Sequence, residues 1–254
     1  MDWRALTLFL LVLARMSGVV LFNPILGRQS IPGVVKSGFI LLLSITAYTM
    51  TDYLPETPGS ILETLVLLGL ELFLGYVLGL VMNLFFYVPL LGGETIDMQM
   101  GMSMGRTYDP SSQTSTTVTA SLLNLLLMLL FFAANGHQTL LRIILVSGRI
   151  VPFGAAAFGQ ELYGAVVELF INCTILGIKL CMPILAAELL GQMGMGILMK
   201  VIPQINVFAI NIELKVIIGL GLLFLMLVPF SEFLLGMEAD MLRAIQRMLL
   251  MMGG

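Results

Sequence analysis

The spacing between charged residues constrains this chain more than any other feature of its sequence. A helix that crosses the hydrocarbon core of a bilayer needs about 20 consecutive apolar residues. Only the intervals 72–93 and 110–141 are that long and free of charge. Elsewhere single charges such as Arg15 and Glu71 interrupt the apolar runs. A charge at the lipid-facing centre of a bilayer costs at least about 2.5–3.5 kcal/mol. We therefore expect these helices to be surrounded by protein, and Arg15 to pair with a carboxylate of its own or a neighbouring subunit.

Composition places the chain in the membrane class. Hydrophobic residues make up 59% of its 254 residues and charged residues only 11%, with a mean hydropathy of +1.04. Soluble domains carry about a quarter charged residues, so this chain lacks the polar groups that a water-facing surface needs. The net charge is −3. These values exclude a cytosolic enzyme, a nucleic-acid-binding protein and a disordered chain. They predict membrane lipid as one of the protein's contacts.

Glycine and proline residues divide the apolar sequence into predicted helices. The fold class is therefore all-α and integral membrane-type, with helical hairpins, broken helices and a loop rich in Met and Gly in the middle of the chain. The predicted helices span residues 3–21, 34–50, 61–88, 118–134, 139–150, 155–182, a further segment to Lys200, 207–228 and an amphipathic tail over 231–252. Pro183 is expected to kink or end the sixth helix.

The tail has the apolar period of an amphipathic helix. Its apolar stripe consists of Leu234, Met237, Met241, Ile245, Met248 and Met252. Glu238, Arg243 and Arg247 are predicted on the opposite face. The stripe indicates packing against protein or a membrane surface.

Helical periodicity is lost between Pro89 and Thr117. This segment contains four glycines, Asp109-Pro110 and a tract rich in Ser and Thr. Irregular backbone at membrane depth is tolerated only where it is buried in protein or lines a water-filled cavity. We predict a broken helix or a loop over these residues.

Residues typical of catalytic or metal sites are few. Cys173 and Cys181 lie in an apolar stretch without metal-ligand spacing, and we expect them to pack as apolar side chains. His137 is the single histidine, which is too few for a His-ligated metal site. It follows Asn135-Gly136 at a predicted helix start, where it serves as a cap or interface residue or, alternatively, as a pH sensor. We expect no catalytic residue, cofactor or metal.

Two other functions are compatible with parts of the sequence. A secondary transporter of small solutes would use broken helices and the intramembrane acids Glu71, Glu94 and Glu168. Against it, the sequence shows no internal repeat. An intramembrane enzyme would use Glu94 and Asp97 as an acid–base pair, whereas a structural interpretation makes them helix caps or members of an ion pair.

Motifs in a fixed order along residues 10–245 resemble those of the FliR family of flagellar biosynthetic proteins and their injectisome counterparts. The first hairpin contributes Arg15, Pro24, Gly27, Ile31-Pro32 and Lys36. The later motifs are Asp-Met-Gln-Met-Gly at 97–101, Asp109-Pro110, Asn135-Gly136-His137, Ser147 to Pro152 with Gly154, Pro183, Ile-Pro-Gln-Ile-Asn-Val-Phe at 202–208, Lys215 and Gly219.

The resemblance implies a subunit of the type III secretion export gate in the bacterial inner membrane. It implies one unit over 1–254, with a FliP-like part over about 1–150 fused to a FliQ-like part over about 151–254. The implied partners are FliP and FliQ in a helical channel, the neighbouring FlhB and FlhA, and unfolded export substrates. No nucleic acid is expected.

A channel for unfolded protein must close to ions at rest, and alternating methionines suit that task. Methionine packs without a fixed shape, and an apolar constriction excludes water. In an extended segment alternate residues share one face. We predict a pore plug over 97–117, with the site residues Met98, Met100, Met102, Met104, Gly105, Arg106, Asp109 and Pro110. Alternatively, the methionines fill the core of an irregular turn.

A second group of residues is predicted to set helix packing and the subunit interface. Gly75 and Gly79 have the spacing that lets two helix backbones approach closely. The full group is Arg15, Pro24, Pro32, Gly75, Gly79, His137, Pro203, Gln204 and Asn206.

Overall fold

The computed structural model describes residues 3–55, 58–102, 107–109, 114–201 and 207–253, without the side chains of 107–109, 114 and 207–212. Within these ranges the regular elements are helices, apart from one small sheet. The elements are α1 (Trp3–Leu21), α2 (Gly33–Thr49), α3 (Ile61–Met100), β1 (Thr107–Asp109), β2 (Thr114–Thr116), α4 (Val118–Ala133), α5 (Gly136–Ile150), α6 (Gln160–Val201), α7 (Val207–Leu225) and α8 (Leu227–Met251). Strands β1 and β2 pair antiparallel, with Thr107 opposite Thr116 and Asp109 opposite Thr114.

The all-α membrane-type fold class is confirmed. Helices α1, α3 and α6 are long and apolar enough to cross a membrane. Two bent pairs, α4 with α5 at 69° and the end of α7 with α8 at 59°, raise the number of candidate spans within the described ranges to five.

The predicted break at Pro89 is wrong, and so is a helix end at Pro183, while the alternative of a kink at Pro183 stays a prediction. Helix α3 continues through Pro89 to Met100, and α6 continues through Pro183 to Val201. Proline removes one helix hydrogen bond. Neighbouring helices can compensate for that loss in a membrane-type chain. Pro89 and its neighbour Val88 are buried, whereas Pro183 is exposed and only the next residue, Ile184, is buried.

The chain forms two compact units. The first contains residues 1–85, 135–170 and 239–254, and the second contains residues 86–134 and 171–238. Helices α3, α6 and α8 contribute residues to both units. The division near residue 150 that the resemblance implies stays a prediction.

The apolar stripe of the tail lies inside the protein. Its six residues, from Leu234 to Met252, are between 0% and 3% exposed. Arg243 and Arg247 are exposed, as predicted. The placement of Glu238 on the polar face is wrong, because its side chain is buried. Residue 238 lies four positions after Leu234 and three before Met241, so the helical period places it within the stripe.

The second unit has one described apolar core cluster. Its buried members are Ile96, Met100, Leu123, Leu180, Cys181, Ile184, Leu223 and Phe230. The burial of Cys173 and Cys181 as free thiols agrees with their predicted role as apolar packing residues.

Candidate functional site

A bidentate ion pair joins α1 and α3 in the first unit. The Nε of Arg15 lies 2.5 Å from one carboxylate oxygen of Glu71, and its Nη2 lies 3.0 Å from the other. Both side chains are 0% exposed. Arg15 was predicted to pair with a carboxylate, and that carboxylate is Glu71 of the same chain. A charge pair buried to this degree needs further hydrogen bonds to offset its desolvation.

Those further bonds go to Ser147 of α5 and to the connector, residues 151–159, which links α5 to α6. The Nη1 of Arg15 donates to the carbonyl of Val151 at 2.9 Å and to the hydroxyl of Ser147 at 3.4 Å. Glu71 accepts the backbone N–H of Gly154 at 2.7 Å. Gly154 has a φ of +88°, which favours glycine. Each member of the ion pair therefore also holds one backbone group of the connector.

Two aromatic side chains complete this cluster. The Arg15 guanidinium lies 4.1 Å from the centre of the Phe153 ring, within cation–π range. The hydroxyl of Tyr53 accepts the backbone N–H of Phe153 and donates to the carbonyl of Gly148 at 3.4 Å. Burial raises the pKa of Tyr53, and nearby Glu71 adds to this, while the Phe153 N–H and Arg15 lower it. The phenol therefore stays protonated at neutral pH and keeps its donor.

The far end of the connector is held by the C-terminal helix. Ala157 donates its N–H to the carbonyl of Met252 at 3.1 Å. The rings of Phe158 and Phe73 meet edge to face at 4.9 Å. Irregular backbone in an apolar surrounding is stable only when its polar groups are bonded. The buried charges supply such bonds, which gives them a structural role.

Glycines bring the backbones of α1 and α3 into contact. A side chain on Gly75 would lie 2.6 Å from the backbone N of Val19, and one on Gly79 would lie 2.7 Å from the carbonyl of Phe22. Gly18 on α1 faces Gly75, since a Cβ added at Gly18 would lie 3.0 Å from the Cα of Gly75. Only a hydrogen atom fits at these positions, so the contact places Arg15 beside Glu71.

The turn between α1 and α2 is built from the motif residues of the first hairpin. Asn23 accepts the N–H groups of Ile25 and Leu26 at 2.8 and 3.1 Å. A side chain on Gly27 would lie 2.5 Å from the carbonyl of Leu21, and the Gly27 carbonyl accepts the Lys36 ammonium at 2.9 Å. The carbonyl of half-buried Pro24 accepts the Nε–H of Arg28 at 3.2 Å. The carbonyl of Pro32 accepts the N–H groups of Val35 and Lys36 in the first turn of α2.

In the second unit, Asp97 of α3 caps α4. One carboxylate oxygen accepts the N–H of Thr119 at 2.8 Å, and the other accepts its hydroxyl at 2.5 Å. Asp97 is 0% exposed. This is the capping role that was the alternative to an acid–base pair with Glu94. Both oxygens of Asp97 are engaged in this cap.

The sequence of residues 6–240 matches the model of the family described as bacterial export proteins, family 1. The chain belongs to this family. It is 27% identical over 243 residues to the flagellar biosynthetic protein FliR of Escherichia coli (strain K12), covering 92% of this chain and 90% of the relative. It is 30% identical to FliR of Caulobacter vibrioides (strain ATCC 19089 / CIP 103742 / CB 15), covering 85% and 87%. The Yop proteins translocation protein T of Yersinia pestis is 25% identical, covering 84% and 82%.

Family membership and the apolar helices both bear on where the chain is located. Together they place the chain in the bacterial inner membrane, as a component of the flagellar or type III export apparatus. The FliR resemblance read from the sequence motifs is confirmed. Of the three acids that a small-solute transporter would use, Glu71 is engaged within the chain, since it is bonded on both oxygens to Arg15 and on one also to Gly154.

The structure of this export protein corrects the predicted arrangement of the methionines. Met98 and Met100 lie in the last turn of α3 rather than in an extended segment. Met98 is 67% exposed, whereas Met100 is 0% exposed within the core cluster of the second unit. Residues two apart on a helix point in different directions, so the two side chains do not share a face. Met102 is partly buried against the same cluster.

The remaining predicted site residues lie partly outside the described ranges. Outside the described residues lie Met104, Gly105, Arg106, Pro110, Pro203, Gln204 and Asn206. Asp109 ends β1, but its side chain is not among those described. His137 lies half-buried in the first turn of α5, after Asn135 with a φ of +60°. Its role, and the plug and interface roles of the other residues, stay predictions.

Several residues around the Arg15–Glu71 pair and the Asp97 cap were not predicted from the sequence. Gly18 carried a usable signal, since Ala14 and Gly18 are small residues four apart, a spacing that favours close helix packing. Tyr53 and Thr119 carried none, because their partners lie far away in the sequence. Within the described residues, no group of three or more His, Cys, Asp or Glu side chains could hold a metal ion.

Proposed function

We propose that this chain is a non-enzymatic core subunit of the type III flagellar export gate. It assembles with FliP and FliQ into a channel for unfolded export substrates, next to FlhB and FlhA. Family membership supports an export component, and the FliR-like motifs support these particular partners. Those subunits cover the apolar helix surface that the chain itself leaves exposed.

The observation that carries the proposal is the exposed surface of α6. Lys179 is exposed in the middle of this 42-residue helix. Its neighbours Ile175, Ile178 and Met182 are between 42% and 52% exposed. An apolar surface with an ammonium group at its centre is poorly suited to lipid. A surface of another membrane subunit, with an acidic group opposite the lysine, suits it better.

Co-expression tests the assembly. We expect the chain to be degraded or to aggregate when it is expressed alone, and to be stabilised in a defined complex when FliP and FliQ are co-expressed. Membrane content and size-exclusion chromatography after detergent extraction measure both states. A homogeneous and stable protein without partners would refute the proposal.

The second part of the proposal places the pore plug in the segment 97–117. The described part of this segment contains the end of α3 and the β1–β2 hairpin. Exposed Met98 and the segment that follows Met102 are its candidates for contact with the pore. Met100 is a core residue, so its replacement would test packing rather than closure.

Deleting residues 105–112 tests the plug in the co-purified complex. We expect a complex of normal composition that conducts small ions at rest, because an apolar closure would be lost. The double replacement of Met98 and Met104 with alanine should leak in the same way. Met193→Ala is the matched control, since Met193 is also 67% exposed but lies on α6. A deletion complex as tight as the wild type would refute the plug.

A further inference from the structure

A cleft opens between the carboxyl end of α2 and the carboxyl end of α5, both of which belong to the first unit. Its volume is about 310 Å³, which lies within the range of small-ligand sites, about 300–1,000 Å³. Residues 50–53, which follow α2, form one side, and the end of α5 with Pro152 forms the other. Tyr53 joins the two sides, because its hydroxyl donates to the carbonyl of Gly148 at 3.4 Å.

Two exposed side chains of opposite charge line this cleft. Asp52 lies on the α2 side, and Arg149 lies on the α5 side. They do not pair with each other, and neither forms an ion pair with another described residue. The cleft therefore offers one anionic group and one cationic group to a ligand.

The ends of the two helices add to this charge pattern. The carboxyl end of a helix carries partial negative charge. Arg149 in the last turn of α5 is therefore favourable for that helix. Asp52 lies three positions after Thr49, the last residue of α2. Helix stability accounts for Arg149, whereas Asp52 adds to the negative potential at the end of α2, which attracts a cation.

An exposed apolar path leads along α2 to the cleft. Leu42 is 60% exposed and Ile45, one turn later, is 56% exposed. Met50, which lines the cleft, is 41% exposed. This chain lies in the bacterial inner membrane, where a phospholipid presents the same order of groups, an acyl chain followed by a charged headgroup.

We infer that this cleft and the apolar path along α2 bind one molecule of phosphatidylethanolamine. Its phosphate contacts the Arg149 guanidinium, whose donors match phosphate geometry. Its primary ammonium group contacts the Asp52 carboxylate through charge-assisted hydrogen bonds, and one acyl chain lies along Leu42 and Ile45. Phosphatidylcholine has no N–H to donate, and phosphatidylglycerol has no cation for Asp52, so both lipids fit less well. This site goes beyond the proposed export function and requires no particular partner subunit.

Photolabelling in vesicles tests the site. The probe is phosphatidylethanolamine with a diazirine on one acyl chain, and the protein is the complex co-purified with FliP and FliQ. Mass spectrometry measures the label in a peptide covering residues 39–51. We expect unlabelled phosphatidylethanolamine to compete about tenfold more strongly than phosphatidylglycerol or phosphatidylcholine. Glycerophosphoethanolamine, which has the headgroup without acyl chains, should not compete.

Two variants distinguish recognition of the headgroup from general contact with lipid. Arg149→Gln should lower the labelling about tenfold, because the phosphate loses its charged donor. Asp52→Asn should remove the preference for phosphatidylethanolamine over phosphatidylglycerol, because an anionic headgroup no longer meets a carboxylate. Arg142→Gln is the matched control and should label as the wild type does, since Arg142 is exposed on the same helix but does not line the cleft.

Three results would overturn the inference. Equal competition by the three phospholipids would indicate non-selective lipid contact. Wild-type labelling in both Arg149→Gln and Asp52→Asn would show that the two charges do not bind the headgroup. Competition by glycerophosphoethanolamine as strong as that by the lipid would indicate a site for a free zwitterion. If assembly with FliP and FliQ fails, the same labelling in membranes that contain this chain alone still decides the lipid site, so the two proposals fail separately.

Discussion

At the scale of single residues, the buried charges of this chain act on the backbone. Glu71 bonds Arg15 and the N–H of Gly154, and Arg15 bonds the carbonyl of Val151. An apolar pair of similar volume often replaces a buried ion pair without loss of stability. Here that replacement would leave two backbone groups of the connector without their partners.

This arrangement predicts an unusual result for a double variant. Arg15→Met and Glu71→Leu should each cost about 3–5 kcal/mol of stability, because each leaves an unpaired buried charge. The double variant should remain strongly destabilised, because Val151 and Gly154 still lose their bonds. Thermal denaturation of the purified complex measures each effect. Asp240→Asn is the control, since its exposed pair with Arg243 contributes little. A double variant as stable as the wild type would contradict the role assigned to the pair.

At the scale of helices, close approach of α1 and α3 depends on positions where only glycine fits. Gly75 faces the backbone of α1, and Gly79 one turn later faces Phe22, which directly follows α1. A Cβ added at Gly69, on the same helix, would have no neighbouring atom within 4 Å. Helix α3 therefore carries both a constrained glycine and an unconstrained one.

The two glycines should respond to alanine in opposite directions. Gly75→Ala should destabilise the protein and lower recovery of the complex, because its methyl group would overlap the backbone of α1. Gly69→Ala should stabilise it by about 0.5–1 kcal/mol, through the lower conformational entropy of alanine in a helix. Thermal midpoints of the two purified variants make the comparison. Equal midpoints would show that the helices adjust, and that the glycines do not set their distance.

At the scale of the whole molecule, α6 presents more apolar surface than the chain itself covers. Within an apolar stretch of 18 residues in this helix, only 28% is buried inside the protein. Exposed Lys179 lies within this helix, and exposed Lys200 lies in its last turn. A lysine near a helix end can reach polar surroundings, whereas one in the middle needs a partner.

Replacing each lysine with leucine distinguishes protein from lipid at these positions. Lys179→Leu should reduce the amount of FliP and FliQ that co-purifies, because the acidic group opposite it loses its partner. Lys200→Leu should leave the complex unchanged. Quantitative pull-down from matched membranes gives the measurement. If lipid covers this surface, Lys179→Leu should instead raise the yield of chain, because a charge is removed from the bilayer.

The class of protein, the family and most helix boundaries could be predicted from the sequence alone. Apolar runs bounded by glycine and proline placed α1 over Trp3–Leu21, as observed. The apolar stripe of the tail was also visible, because a helix converts sequence spacing into faces. These features depend on residues within a few turns of one another, so a local pattern is sufficient to reveal them.

Which side chains and backbone groups contact one another became known only from the folded structure. The carboxylate that pairs with Arg15 lies 56 residues away, and the helix that Asp97 caps begins beyond the hairpin. Pro89 lies inside a helix although the local signal indicates a break. In each case the deciding energy comes from packing between segments distant in sequence, which local propensity does not encode.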